Sequence, residues 1–173
     1  SYGAIAVGID IGTTTVSAVV YDIDNRKQIE AYSLPHNSYI HSDVRFEQNV
    51  DIILDIATSL LYRIIDTYKG IISIGVTGQM HGIVYYDEQG KAVSLLYTWQ
   101  DQRGNLAYQD TTYAGMLKSC TGYGNVTDFY NRINGIRPKE AVGYCTVHDY
   151  LAMHLCGLKR AKIHTSDAAS FGC

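Results

Sequence analysis

Three short apolar runs, a long stripe of helical period and a further β-branched run divide the first half of the chain. Ala4 to Ile9, Val16 to Tyr21 and Gln28 to Leu34 are apolar or partly alternating, parted by Gly12 and by the turn-like Asp24-Asn25. They predict three early strands, the first two joined by a tight Gly-Thr turn. A polar stretch follows Pro35, and Asn49 stands as an N-cap with Asp51 in the first helical turn. From there Ile53, Ala57, Leu60, Ile64 and Tyr68 recur every three or four positions. That is one apolar stripe on a long helix, which ends near Gly70. Ile71 to Val76 is β-branched without alternation, the pattern of a strand covered on both faces.

Ile83 to Tyr86 and Leu95 to Trp99 flank Asp87-Glu-Gln-Gly90 and predict a hairpin. Residues 103–118 and 126–134 read as helical. Thr146-Val-His-Asp149 resembles a capping box and opens a helix with Val147, Leu151 and Leu155 on one face, closed by Gly157. A helix feeding a buried strand implies α/β layering. There is no internal repeat, Pro-rich linker or low-complexity segment.

Composition narrows the class. The 173 residues fit one ordinary domain, and 46% hydrophobic residues with 18% charged and 2 prolines exclude a disordered or collagen-like chain. Net charge is -3, from 14 Lys plus Arg against 17 Asp plus Glu, with no dense basic run. That argues against a nucleic-acid or anionic-membrane surface, and the scattered tyrosines form no stacking platform. No apolar run reaches the ~20 residues of a membrane span, and SYGAIAVGID lacks the features of a signal peptide, so a cytoplasmic setting is expected. Cys120, Cys145, Cys156 and Cys173 show neither C-x-x-C spacing nor a nearby partner His, so reduced, mostly buried thiols are expected rather than zinc or a redox pair.

The chemistry is concentrated in a few stretches. Between the first two strands, Asp10, Gly12, Thr13, Thr14 and Thr15 offer backbone N–H groups, hydroxyls and one carboxylate, a set able to hold phosphate oxygens and a hydrated Mg²⁺. By itself the turn reads more simply as a hairpin whose threonines satisfy their own backbone. Neither G-x-x-x-x-G-K-[ST] nor G-x-G-x-x-G after a strand is present. A nucleotide, if bound, is held another way.

The strand-turn-strand with D-x-G-T-T is similar to the phosphate signature of actin-like ATPases. With Gly75-Val-Thr-Gly-Gln-Met-His-Gly82, Thr98-Trp-Gln-Asp-Gln-Arg103 and Ser166-Asp-Ala-Ala-Ser170 in this order, the chain resembles the N-terminal domain of the FGGY family of carbohydrate kinases. Gly-Gln-Met-His-Gly resembles the xylulokinase-related ketose kinases. Thr121-Gly-Tyr-Gly124 and Thr146 to Gly157 resemble the sedoheptulokinases more closely.

The resemblance implies an α/β, actin-like (ribonuclease H-like) domain over residues 1–173, a mixed five-stranded sheet flanked by helices. It implies ATP and Mg²⁺ as cofactors and a ketose as substrate, with no nucleic-acid or membrane partner. Asp10 would hold Mg²⁺ through water and is the one catalytic position matched here, while Gly12, Thr13 and Thr14 would face the β- and γ-phosphates. Gln79, Met80, His81, Trp99 and Asp101 would meet the sugar. Taken in isolation Trp99 reads almost as well as core packing at a strand end, and Asp101 as the partner of Arg103, a pairing compatible with the sugar contact. His148 and His154 read as structural, and His36 and His41 lie in a polar loop without an assigned role.

Two departures matter. Ser17 stands where many members carry Lys, and no Gly-Asp segment supplies the base that the family places in its second domain. The expectation is a piece of a longer kinase, inactive alone and completed by a C-terminal domain. Two other classes share the opening turn: an actin-like ATPase of activator or chaperone type, and a non-catalytic sugar-binding domain.

Overall fold

The computed structural model describes residues 2–155 and, for the backbone alone, 162–165. In chain order the described elements are β1 (Ile5–Ile11), β2 (Thr15–Asp22), β3 (Lys27–Pro35), β4 (Tyr39–Ser42), β5 (Arg45–Gln48), α1 (Val50–Thr67), β6 (Ile71–Gly78), β7 (Val84–Tyr86) and β8 (Leu96–Tyr97). After a single 3-10 turn at Arg103–Asn105 come β9 (Ala107–Tyr108), β10 (Thr111–Thr112), α2 (Tyr113–Met116), α3 (Gly124–Ile133), β11 (Gly143–Cys145), α4 (Val147–Leu155) and β12 (Lys162–Thr165). They gather into two compact units, one of residues 1–37, 51–78 and 148–173, the other of 38–50 and 79–147.

The first unit carries a mixed five-stranded sheet in the order β12-β6-β1-β2-β3. β1, β2 and β3 form an antiparallel meander, and β6 and β12 run parallel to β1. Parallel strands need a crossover, and α1 supplies the one between the meander and β6. Pro35 closes β3, an edge strand, where its missing N–H costs no ladder bond. Ile5, Val7, Ile9, Ile11, Val16, Ala18, Val20, Ile74 and Val76 are buried, as are Ile53, Ala57, Leu60, Ile64 and Tyr68 on the predicted stripe of α1. Together they make this unit's core. The strand β6 does not have both faces covered: Ile74 and Val76 are buried, whereas Ser73 and Gly75 are half-buried and Thr77 is exposed. An unalternating sequence therefore hid an alternating burial, because the small residues Ser73 and Gly75 and the exposed Thr77 share the less covered face.

The second unit is a set of short ladders around aromatic and charged residues. β4 pairs with β5, β5 with β8, β7 with β11, and β9 with β10, all antiparallel. Ile83, Tyr85 and Tyr97 form its apolar centre, with Val93 and Ala141 packed against them. The turn expected at Asp87 to Gly90 is present, with Gly90 at φ 77° and the Asp87 carboxylate accepting from the N–H groups of Gln89 and Lys91, but its flanks pair only at the bridges Tyr86–Ala92 and Ile83–Tyr97, since β7 ladders with β11 and β8 with β5.

Three expectations need correction. The helix foreseen over 103–118 is one 3-10 turn, a small hairpin with Gln109 at φ 52°, and the single turn α2. Its apolar residues Leu106, Met116 and Leu117 are exposed, so their spacing marked no buried face. The polar stretch after Pro35 holds the β4–β5 hairpin, invisible because β4 is exposed throughout. Cys120 is exposed and Cys145 half-buried, neither in a disulfide, so neither described cysteine is a buried one. α4 begins directly after Thr146 with Val147, Leu151 and Leu155 buried as expected, and the buried His148 packs where a Cβ on Gly78 would lie 2.9 Å from it. Gly157, Cys156, Cys173 and the Ser166 to Ser170 stretch lie outside the described residues. Among the described residues no helix is long and apolar enough to cross a membrane.

Candidate functional site

The first unit presents the turn between β1 and β2. Gly12 donates its N–H to the Thr15 carbonyl at 2.8 Å, so Thr13 and Thr14 form a two-residue tip. Neither takes a positive φ, as expected for β-branched residues that the left-handed region would strain. A Cβ at Gly12 would lie 3.2 Å from the Thr15 carbonyl oxygen, which makes glycine the residue that fits.

Two residues outside the turn brace it. His36, buried, donates its backbone N–H to the Thr14 carbonyl at 3.1 Å, and its Nε2 lies 3.0 Å from the Gly12 carbonyl oxygen. A carbonyl only accepts, so Nε2 carries the proton. Carbonyls of the turn are thereby engaged from behind. Asp10 is exposed near the end of β1, opposite Thr77 in the ladder, and Thr77 Oγ1 donates to its Oδ1 at 2.7 Å. Neither role could be read from the sequence; His36 shares a polar loop with His41, and Thr77, inside the Gly75 to Gly82 stretch, meets Asp10 only through the pairing of β6 with β1.

Among the described residues no three His, Cys, Asp or Glu side chains converge as a metal cage. A hydrated Mg²⁺ held by one carboxylate and by phosphate oxygens requires none.

The second unit presents the corner Gln79 to Gly82 and the turn that begins at Thr98. Gln79 is buried and donates through Nε2 to Gln48 Oε1 at 2.9 Å. Gly82 donates to the Met80 carbonyl at 2.9 Å, and a Cβ there would lie 2.6 Å from the Tyr97 carbonyl oxygen. Ile83 and Tyr97 then exchange two backbone hydrogen bonds, at 2.9 and 2.8 Å. Both ends of the corner are pinned, which turns its middle outward. Met80 is 65% exposed, and His81 is exposed with φ 73°, a conformation uncommon outside glycine.

Trp99 is 47% exposed, so it is not the core tryptophan its strand-end position allowed. It rides on a tightly held turn. Thr98 is fully buried, donating from N–H and Oγ1 to the Phe46 carbonyl at 3.0 and 2.8 Å, and Asp101 N–H donates to the Thr98 carbonyl at 3.1 Å.

Asp101 itself is fully buried. Its Oδ2 accepts from Phe46 N–H at 3.1 Å and from Arg103 Nη2 at 3.1 Å, while Oδ1 accepts from Arg103 N–H at 3.1 Å and Nε at 2.6 Å. The pairing with Arg103 that the sequence allowed is thus made. Arg103 also donates to Glu47 at 3.1 Å and Asn131 at 3.1 Å and stacks against Tyr97. Burial alone would lower the Arg103 pKa, but the Asp101 hydrogen bonds and charge outweigh it and hold the guanidinium above its ordinary value. The turn is thus anchored by a paired, fully hydrogen-bonded charge.

The comparisons with known proteins fit this geometry. A family profile described as the FGGY family of carbohydrate kinases, N-terminal domain, matches residues 5–122. The human sedoheptulokinase is 30% identical over 203 aligned positions, covering 97% of this chain and 41% of the relative. A xylulose kinase of Staphylococcus xylosus is 28% identical over 109 positions, covering 62% of this chain and 22% of its own length. The ligand-bound xylulose kinase structure from Lactobacillus acidophilus superposes with a TM-score of 0.72 at 18% identity, over 87% of this chain and 33% of that one, which speaks to the fold. The chain spans about two fifths of the length of the sedoheptulokinase it matches.

Proposed function

The chain belongs to the FGGY family of carbohydrate kinases, and on that premise we propose that it supplies the phosphate turn and most of the sugar-facing residues of an ATP-dependent ketose kinase, with sedoheptulose or xylulose as the substrate type. The observation that carries this reading is the Gln79 to Gly82 corner. It is pinned at one end by the Gln79 side chain and at the other by the backbone of Gly82 and Ile83, and yet it holds Met80 and His81 out to solvent. Well-anchored scaffolding that exposes a thioether and an imidazole, in a unit that also exposes its tryptophan, serves a ligand rather than a core.

In this reading His81 and the backbone of the corner hydrogen-bond sugar hydroxyls, Met80 covers an apolar edge, and Trp99 covers a C–H face with its indole N–H available to a hydroxyl. Gln79 meets the sugar through its backbone, since its side chain is committed to Gln48. Asp101 acts one step back, setting the turn that carries Trp99. ATP would supply the phosphoryl group and Mg²⁺ the charge neutralisation that its transfer requires. The turn fits them: Asp10 is an exposed carboxylate held by Thr77, and Gly12, Thr13 and Thr14 offer N–H groups and hydroxyls to the β- and γ-phosphates.

The base that takes the hydroxyl proton and the adenosine pocket match no segment of this chain. The 173 residues alone are therefore expected to show negligible phosphorylation.

An actin-like ATPase of activator or chaperone type shares the phosphate turn but leaves the exposed corner and Trp99 without a purpose. The deciding experiment is MgATP-dependent ADP release by the complete natural protein against sedoheptulose, xylulose, ribulose and glycerol, with this chain assayed beside it. Stimulation by one ketose, in the complete protein only, is expected. ATP hydrolysis indifferent to every sugar would overturn the kinase reading in favour of the ATPase.

A further inference from the structure

We propose that Tyr123 is a positioning residue for the sugar-facing imidazole of His81; this rests on the kinase reading above. The two rings stack face to face, centroids 4.0 Å apart and planes 3° from parallel. An exposed histidine on a surface loop would otherwise rotate about its side-chain torsions. With the backbone of His81 held at φ 73° and one ring face covered by Tyr123, its plane is set and its two nitrogens point along that plane. A hydrogen-bonding group aimed before the substrate arrives loses less freedom on binding.

The residues flanking Tyr123 are shaped to seat it. Gly122 has φ 84°, and a Cβ there would lie 1.8 Å from the Trp99 carbonyl oxygen. A Cβ at Gly124 would lie 2.5 Å from Ile83 Cγ2 and 3.4 Å from the His81 carbonyl oxygen. Thr121 Oγ1 donates to the Asp101 carbonyl at 2.8 Å. Thr121-Gly-Tyr-Gly124 is therefore wedged against both loops that expose the sugar-facing candidates.

The ordinary structural readings of Tyr123 fail. It is 39% exposed and so is no core residue, and although it stands at the N-cap of α3 its side chain makes no capping bond. Its contact is made by the ring face, which phenylalanine would preserve.

The test is steady-state kinetics on the complete natural protein with its best ketose and MgATP. Tyr123→Ala is expected to raise the ketose KM about tenfold while leaving the MgATP KM unchanged, the pattern of a lost substrate contact. Tyr123→Phe is expected to keep wild-type values, and Tyr123→Leu, which preserves bulk without an aromatic face, to behave like alanine. In a His81→Ala background Tyr123→Ala should add nothing, because its effect passes through the imidazole. An unchanged ketose KM in Tyr123→Ala, or an equal loss with and without His81, overturns the proposal while the kinase reading stands. If the wild-type protein phosphorylates no ketose, the kinase reading falls and this proposal with it.

Discussion

The β1–β2 turn and the Gln79 to Gly82 corner differ in how far the chain reaches to build them. Asp10 to Thr15 are contiguous, and their braces are two hydrogen bonds from His36 and one from Thr77. The corner and its neighbouring turn draw on residues 46–48, 79–83, 97–103 and 121–124, tied by a buried ion pair whose arginine also reaches Glu47 and Asn131. A local turn keeps its shape through its own backbone and can be tuned by one side chain. A corner assembled from distant segments stands or falls with its anchor.

The largest effect should come from that anchor. Asp101→Ala leaves the Arg103 guanidinium buried with fewer acceptors and orphans the Phe46 N–H, a change that costs about 3–5 kcal/mol in buried pairs. Urea unfolding of the complete protein measures it. A loss below about 1 kcal/mol, typical of an exposed pair, would mean that the turn is held by its backbone after all and would erase the contrast between the two regions.

Gly82→Ala comes next. The new Cβ would sit 2.6 Å from the Tyr97 carbonyl oxygen, a backbone atom that cannot swing aside. Strain of about 1–3 kcal/mol is expected, together with displacement of Met80 and His81. The ketose KM should rise and the MgATP KM should not. If both rise together, the corner is a general structural support and not a ligand surface.

These two residues also show where the sequence was readable. Strands β1 to β3 and the stripe of α1 were legible because their pattern follows from burial within one element. Gly82 belonged to a motif whose spacing could be recognised. Asp101 could be narrowed only to two partners, because an acid two positions from an arginine does not reveal whether its carboxylate faces a ligand or that arginine. The choice depends on Phe46, 55 residues away, whose N–H draws Oδ2 inward. His36 had no readable role for the same reason, since its partner carbonyl lies 24 positions back. The helix read over residues 103–118 is not formed, since Leu106, Met116 and Leu117 are exposed and Gln109 turns the chain at φ 52°.

On the side of the β1–β2 turn, His36→Ala removes the ring hydrogen bond to the Gly12 carbonyl but keeps the backbone one to Thr14. The stability cost should be about 1–2 kcal/mol, the scale of a hydrogen bond lost next to a partly buried carbonyl. The kinetic signature should be the mirror of the corner's: a higher MgATP KM with the ketose KM unchanged. A rise in the ketose KM instead would show that the two regions are not separable in the way their construction suggests.

Thr77→Val is the smallest and most selective change. Valine matches threonine in shape and removes only the hydroxyl that donates to Asp10 Oδ1. Asp10 is exposed, so water replaces the lost donor and stability should change by about 1 kcal/mol or less. What changes is the aim of the carboxylate. Losing the partner that orients a metal-holding group typically weakens the metal, and because Asp10 is read as acting through water, the half-saturating Mg²⁺ concentration should rise by about threefold to tenfold, below the usual cost. An Mg²⁺ titration of ketose-stimulated ADP release reads it directly. Undiminished Mg²⁺ dependence in an active Thr77→Val protein would detach Asp10 from the metal, and the turn would then be left to hold phosphate through Gly12, Thr13 and Thr14 alone.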